Sequence, residues 1–239
     1  MLLATLAVWL ALPPIAQDQS YHAFADQRSW LRIPRAADVL SNAAFVLVGA
    51  FGIAMLAATR RVRFPPATEA SLWCVAAGFV CTGIGSAWYH MNPNDATLAW
   101  DRLPMTIVFA GIFGAALAQR VGQNFARIAL PLLLVLGVAS VVYWRQTGNL
   151  SLYALLQFGG IAALLVLLVT TRGIDDPFPW WWLIGWYALA KVFEAGDVTL
   201  FKATNGLVAG HALKHLAAAI AGVALFLPLR ERYRETPRR

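Results

Sequence analysis

Charge is scarce in this chain of 239 residues: Asp, Glu, Lys and Arg make up 13% of it, against 59% apolar residues. Soluble domains carry about 25% charged and 45–50% apolar residues. Too little charge is present to cover a water-facing surface, which excludes a soluble enzyme and a disordered chain alike. Cysteine is nearly absent too. Cys74 and Cys81 share one apolar stretch, about 10.5 Å apart along a helix and beyond disulfide reach; they read as packing residues and say nothing of redox compartment. Basic blocks interleaved with aromatics are missing ahead of the tail Arg230–Arg239, so the net charge of +7 does not call for a nucleic-acid partner. A terminal Arg cluster behind an apolar segment is a topogenic signal. No internal repeat, low-complexity tract or second-domain linker is visible. A single-domain polytopic membrane protein remains.

What is abundant is apolar length. Runs near the ~20 residues that cross a bilayer recur at about 38–58, 69–90, 101–119, 127–144, 151–171, 179–201 and 207–228. Such lengths, with no lipid-tolerated alternative for unpaired backbone, predict helices. The expected fold is all-α: a transmembrane bundle with a seven-helix core over 38–228, an outer segment 17–37 before it and a basic tail 229–239 after it. An eighth, shorter run, Leu2–Ala16, ends at Pro13-Pro14. It lacks a preceding Lys or Arg and a small-x-small cleavage site, so it is expected as a retained short N-terminal helix of residues 1–16 rather than a signal peptide; seven spans without it is the alternative.

Arg60, Arg61, Arg63, Arg120, Arg127, Arg172 and the five tail arginines fall on one side of this arrangement. Only Arg28, Arg32, Arg35, Arg145 and Lys202 fall on the other. The first side is therefore cytoplasmic and the segment 17–37 faces outward. Trp180-Trp181-Trp182 after Asp175-Asp176-Pro177 fits an aromatic belt at the cytoplasmic edge.

Ionisable residues inside spans are costly unless paired or functional, which singles out His90, Asp101, Lys191, Glu194, Asp197, His211, Lys214 and His215. Ser86 and His90 are i, i+4 and share one helix face. Asp101 follows across a hairpin of about ten residues, so it is expected at the depth of His90. His211 and His215 are again i, i+4, a spacing at which two imidazoles can bind one metal. From the hairpin after His90 the chain crosses an even number of times before His211, so all three histidines start on the outer side. Three His ligands with an open fourth position describe a catalytic zinc site, with a water of pKa near ~7, Asp101 as general base and Ser86 steadying the water or the oxyanion. The plainer reading is interhelical hydrogen bonding by the histidines. His22, beside Tyr21 in the outer segment, reads as a solvent or interface histidine. Lys191 and Glu194 can form an internal ion pair, and Asp197 lies where it can hydrogen-bond a zinc-bound histidine. Lys214 is expected on another face of its helix, snorkelling or paired with one of these acids.

Ser41-Asn42, Gly85-Ser86-x-x-x-His90, Asp101-x-x-Pro104-Met105 and His211-x-x-x-His215 resemble, in order, the alkaline ceramidases, and more widely the membrane hydrolases that include the progestin and adipoQ receptors. The resemblance implies zinc on His90, His211 and His215, with Ser86 and Asp101 as the catalytic pair, and hydrolysis of a ceramide-like lipid amide drawn from the bilayer. Two departures stand out. The animal enzymes' acid-rich, calcium-binding N-terminal segment is replaced here by Phe24-Ala25-Asp26-Gln27-Arg28-Ser29-Trp30, which argues against calcium; an Asp26–Arg28 or Asp38–Arg35 ion pair is the expected substitute. The extra N-terminal run suggests a bacterial-type branch, in the inner membrane with its site toward the periplasm. The rival expectations are a receptor of the same fold with structural zinc, and a transporter using Lys191, Glu194 and Asp197; the lack of an inverted repeat counts against the latter.

Overall fold

Apolar runs become helices, and the polar breaks between them set where each one starts. The computed structural model describes residues 13–58, 64–172 and 176–229. Among these the regular structure is helical, with only isolated β-bridges. Five helices are long and apolar enough to cross a membrane: α1 (Ala36–Ala58), α2 (Pro66–Met91), α3 (Asp95–Arg120), α4 (Gln123–Thr147) and α5 (Ser151–Thr170). Three shorter ones follow: α6 (Trp180–Ala195), α7 (Asp197–Ala203) and α8 (Gly210–Val223).

Two expected runs are less regular than a single long helix. The run 179–201 is interrupted at Gly196, and 207–228 holds a continuous helix of only 14 residues. Glycine weakens a helix interior by about 1 kcal/mol, and here the break lets the start of α8 close in. A Cβ on Gly210 would stand 2.3 Å from the Phe193 carbonyl oxygen and 2.7 Å from the Asp197 Cα. The hairpin between His90 and Asp101 is also shorter than the expected ten residues. Only Asn92–Asn94 separate α2 from α3, because Asn94 accepts from the Ala96 and Thr97 amides and Thr97 bonds back to the Asn94 amide, a capping box that starts the helix early. Asp101 thus sits in the second turn of α3.

Of the proposed Leu2–Ala16 helix, residues 1–12 lie outside the described residues, as does the tail from 230. Residues 13–16 are not helical; Ile15 and Ala16 run extended along Asn149 and Leu150, where the Leu150 amide donates to the Ile15 carbonyl at 2.7 Å.

Helices α1 to α4 pack against their sequence neighbours, and α8 wedges between α1 and α6. Helix α3 is central, with 67% of its apolar window buried against 22–50% for the other four long helices. Outward faces carry exposed apolar side chains such as Leu47, Ile84, Ile128, Val135 and Val166, as a lipid-facing surface requires. At the other end of the bundle from the histidines, Arg120 Nε meets Asp176 Oδ2 at 2.7 Å, and Trp180 Nε1 donates to the same oxygen at 2.6 Å. The segment 17–35 covers the histidine end, through a 3-10 turn Gln19–His22 and then loop.

Candidate metal centre and its cavity

His90 closes α2, and His211 and His215 occupy the first two turns of α8. The expected meeting takes place: the ring centroids stand 4.8, 5.0 and 4.9 Å apart, and the three ligand nitrogens lie within 4.8 Å of one another. All three rings are buried, and Phe24 from the segment 17–35 packs at 4.5 Å from His90 and 4.6 Å from His211, covering the cluster.

A buried polar atom is normally satisfied. Yet His90 Nδ1, His211 Nε2 and His215 Nε2 are buried and have no hydrogen-bond partner among the described residues. Three converging, unpartnered imidazole nitrogens form a donor set that can hold a metal ion. Neutral nitrogen donors with three protein ligands fit zinc with an open coordination position.

The surroundings orient those ligands. Ser41 Oγ donates to the Asp38 carbonyl at 3.0 Å and stands 2.8 Å from His215 Nδ1. With its one hydrogen committed, the hydroxyl accepts from Nδ1–H, so Nε2 carries the free lone pair. Asp197 Oδ1 accepts the backbone N–H of His211 at 2.8 Å, and its Oδ2 accepts the Ala25 amide at 3.0 Å. The carboxylate therefore holds His211 through its main chain rather than its ring, and ties the outer segment to α8. Arg35 donates from Nε to the His90 carbonyl at 2.6 Å and from Nη2 to the Met91 carbonyl at 2.7 Å, capping the end of α2.

Ser86 and Asp101 are buried and hydrogen-bonded to each other. With His215 they line a cavity of about 410 Å³ that runs between apolar side chains, among them Phe45, Phe79, Val108 and Ile112. Its opposite wall comes from α5 and α6, which Gln157 Nε2 joins by donating to the Tyr187 hydroxyl at 3.0 Å.

The remaining candidates find other partners. His22 is an interface residue, with Nδ1 at 2.9 Å from the Tyr89 hydroxyl and Nε2 at 3.1 Å from Asp95 Oδ1. Asp26 and Arg28 form a bidentate pair at 2.8 and 2.7 Å, and the hydrogen bond from Arg28 holds the Asp26 carboxyl below its usual range. The alternative Asp38–Arg35 pair does not form, since Arg35 is spent on the two carbonyls. Asp38 is fully buried, and neither of its carboxylate oxygens has a hydrogen-bond partner among the described residues. Lys191 pairs with Glu194 Oε2 at 2.6 Å and Lys214 with Glu194 Oε1 at 3.3 Å; both lysines line the cavity, so Lys214 faces it rather than lipid. Ser41 and Phe24 had no chemical signal of their own in the sequence, only the recurrence of Ser41-Asn42 in the resemblance hinting at the first, and Arg35 was legible only as an ion-pair partner for Asp38.

A family model described as Ceramidase matches residues 33–226. No curated protein matches the chain significantly. The match runs from the start of α1 to the end of α8 and takes in all three histidines together with Ser86 and Asp101, and so the chain belongs to the ceramidase family, whose members are amide hydrolases.

Proposed function

We propose that this protein is a zinc-dependent intramembrane amidase that cleaves the N-acyl bond of a ceramide-type sphingolipid taken from the bilayer. The observation that carries the reading is the convergence of three unpartnered, buried imidazole nitrogens beside a hydrogen-bonded Ser86–Asp101 pair at the head of an apolar cavity. His90, His211 and His215 would hold the zinc, which when bound supplies Lewis acidity and brings the pKa of a coordinated water to about 7. Asp101 takes the proton released as water adds to the amide carbonyl, and returns it to the departing amine nitrogen. Ser86 Oγ, released from Asp101 as that carboxyl protonates, donates to the carbonyl oxygen as it gains charge. Phe24 and the outer segment keep bulk water from these groups, and the apolar floor takes the acyl chain.

The arginine distribution supports a cytoplasmic C-terminus and a site on the outer side, periplasmic in a bacterial inner membrane. In this reading α6 with α7, and α8, complete seven crossings, the arrangement the wider hydrolase superfamily would share. A non-catalytic receptor of the same fold has no use for the Ser86–Asp101 pair.

The test is zinc content and N-acyl lipid hydrolysis in wild type, His215→Ala and Asp101→Ala. The histidine variant should lose both, whereas the aspartate variant should keep about one zinc and lose hydrolysis by at least about 10²-fold, the scale of general acid–base catalysis. Full zinc and turnover in both variants would refute the proposal.

A further inference from the structure

Three basic side chains, Arg102 of α3, Lys191 of α6 and Lys214 of α8, line the cavity, more than hydrolysis of a neutral lipid needs. Glu194 serves both lysines, and its Oε1 also accepts the Tyr21 hydroxyl at 3.3 Å. Burial, then the charge of Glu194, pushes that hydroxyl well above its ordinary value, so it remains a donor. Arg102 is buried among the rings of Trp144, Tyr153 and Tyr21, donates to Gln17 Oε1 at 2.6 Å and forms no ion pair among the described residues. Of the other lining acids, Asp101 is engaged by Ser86, and Asp18 is exposed and accepts the Ser20 amide in the turn Gln19–His22.

The two lysines thus share one carboxylate, while Arg102 is buried without an ion pair and its Nη1 has no hydrogen-bond partner among the described residues. A buried donor left unpartnered is costly unless a ligand supplies the acceptor. Each ammonium has three donors, and Glu194 takes one from each.

Resting on the hydrolase reading, we propose that the polar end of the cavity is a head-group site for lipid amides carrying an anionic head, such as a phosphate, sulfonate or carboxylate, recognised by Lys191, Lys214 and Arg102. Neutral-headed ceramides are then the poorer substrates. The released fatty acid is a second source of anionic charge, and the experiment separates it.

With zinc-loaded protein in neutral detergent, kcat/KM is compared for a ceramide and the ceramide 1-phosphate of the same chains, in wild type, Lys191→Gln and Lys214→Gln. Each variant leaves Glu194 one lysine and Tyr21. Wild type should favour the phosphorylated substrate by about tenfold, the worth of one charge-assisted hydrogen bond. Each variant should lower that ratio several-fold, mainly through KM, while thermal melting stays within a few degrees of wild type. A wild type that prefers neutral ceramide, or a ratio unmoved in both variants, overturns the inference. If neither lipid is cleaved, the hydrolase reading fails, and binding of a long-chain alkyl phosphate against the matching alcohol and fatty acid decides the head-group site. Salt-sensitive preference for the alkyl phosphate that both variants weaken sustains the site. Equal binding of phosphate and alcohol, or fatty acid binding as tightly as phosphate, overturns it.

Discussion

Gly85 is where helix packing and the proposed catalysis are most tightly joined. It precedes Ser86 in α2 and lies against the backbone of α3 one residue before Asp101. A Cβ added there would stand 2.2 Å from the Trp100 carbonyl oxygen and 3.0 Å from the carbonyl carbon, whereas ordinary contact begins at 3.4 Å. The obstacle is backbone on both sides, so no side chain can swing clear, and the helices must part by about 1 Å at the level of the Ser86–Asp101 contact. Overpacking of this kind costs about 1–3 kcal/mol of stability, while a ~1 Å misplacement of a catalytic constellation costs about 10²-fold in rate. Gly85→Ala should therefore lower kcat for an N-acyl lipid about 10²-fold while the protein still folds. Gly185, with nothing within 4 Å of its added Cβ, provides the control: Gly185→Ala should keep its rate. Turnover of a fluorescent N-acyl sphingoid, read beside thermal melting, checks both. A Gly85→Ala enzyme within threefold of wild type would refute the reasoning, since the close approach would then not set the Ser86–Asp101 geometry.

Two further outcomes follow from the same geometry. Ser41→Ala removes the acceptor that orients His215 Nδ1–H; zinc affinity, measured by chelator competition, should fall about 10–100-fold, and unchanged affinity would remove Ser41 from the site's support. Asp26 is held below its ordinary value chiefly by the hydrogen bond from Arg28, so its contribution to stability is complete above the unfolded value of about 3.9 and is lost as pH falls through the lower folded value. Arg28→Gln should flatten that acid-side loss in melting temperature, and a pH profile parallel to wild type would contradict it.

Much of the fold was legible because the bilayer permits so few solutions. Long apolar runs predict helices, and the even number of crossings between His90 and His211 predicts that the histidines meet. The boundaries were less legible. Asn94 and Thr97 form a capping box that local polarity disguised as loop, which shortened the hairpin and moved Asp101 to the second turn of α3. The fate of Lys214 was half legible: snorkelling and pairing with a nearby acid were both open, and only the packing of α8 beside α6 shows that it faces Glu194 and the cavity.

The sequence by itself determined the class of the protein and the chemistry it can carry. Composition demands a membrane, and three histidines with an intramembrane aspartate are too costly in lipid to be incidental. Only the tertiary structure decided which atoms hold the candidate site in place. Hydrogen bonds such as those of Ser41 to His215, Asp197 to the His211 amide and Arg35 to the end of α2 join residues distant along the chain. So does the pairing of Lys214 with Glu194. Neither leaves a periodic trace in one dimension, because each depends on which helix faces which.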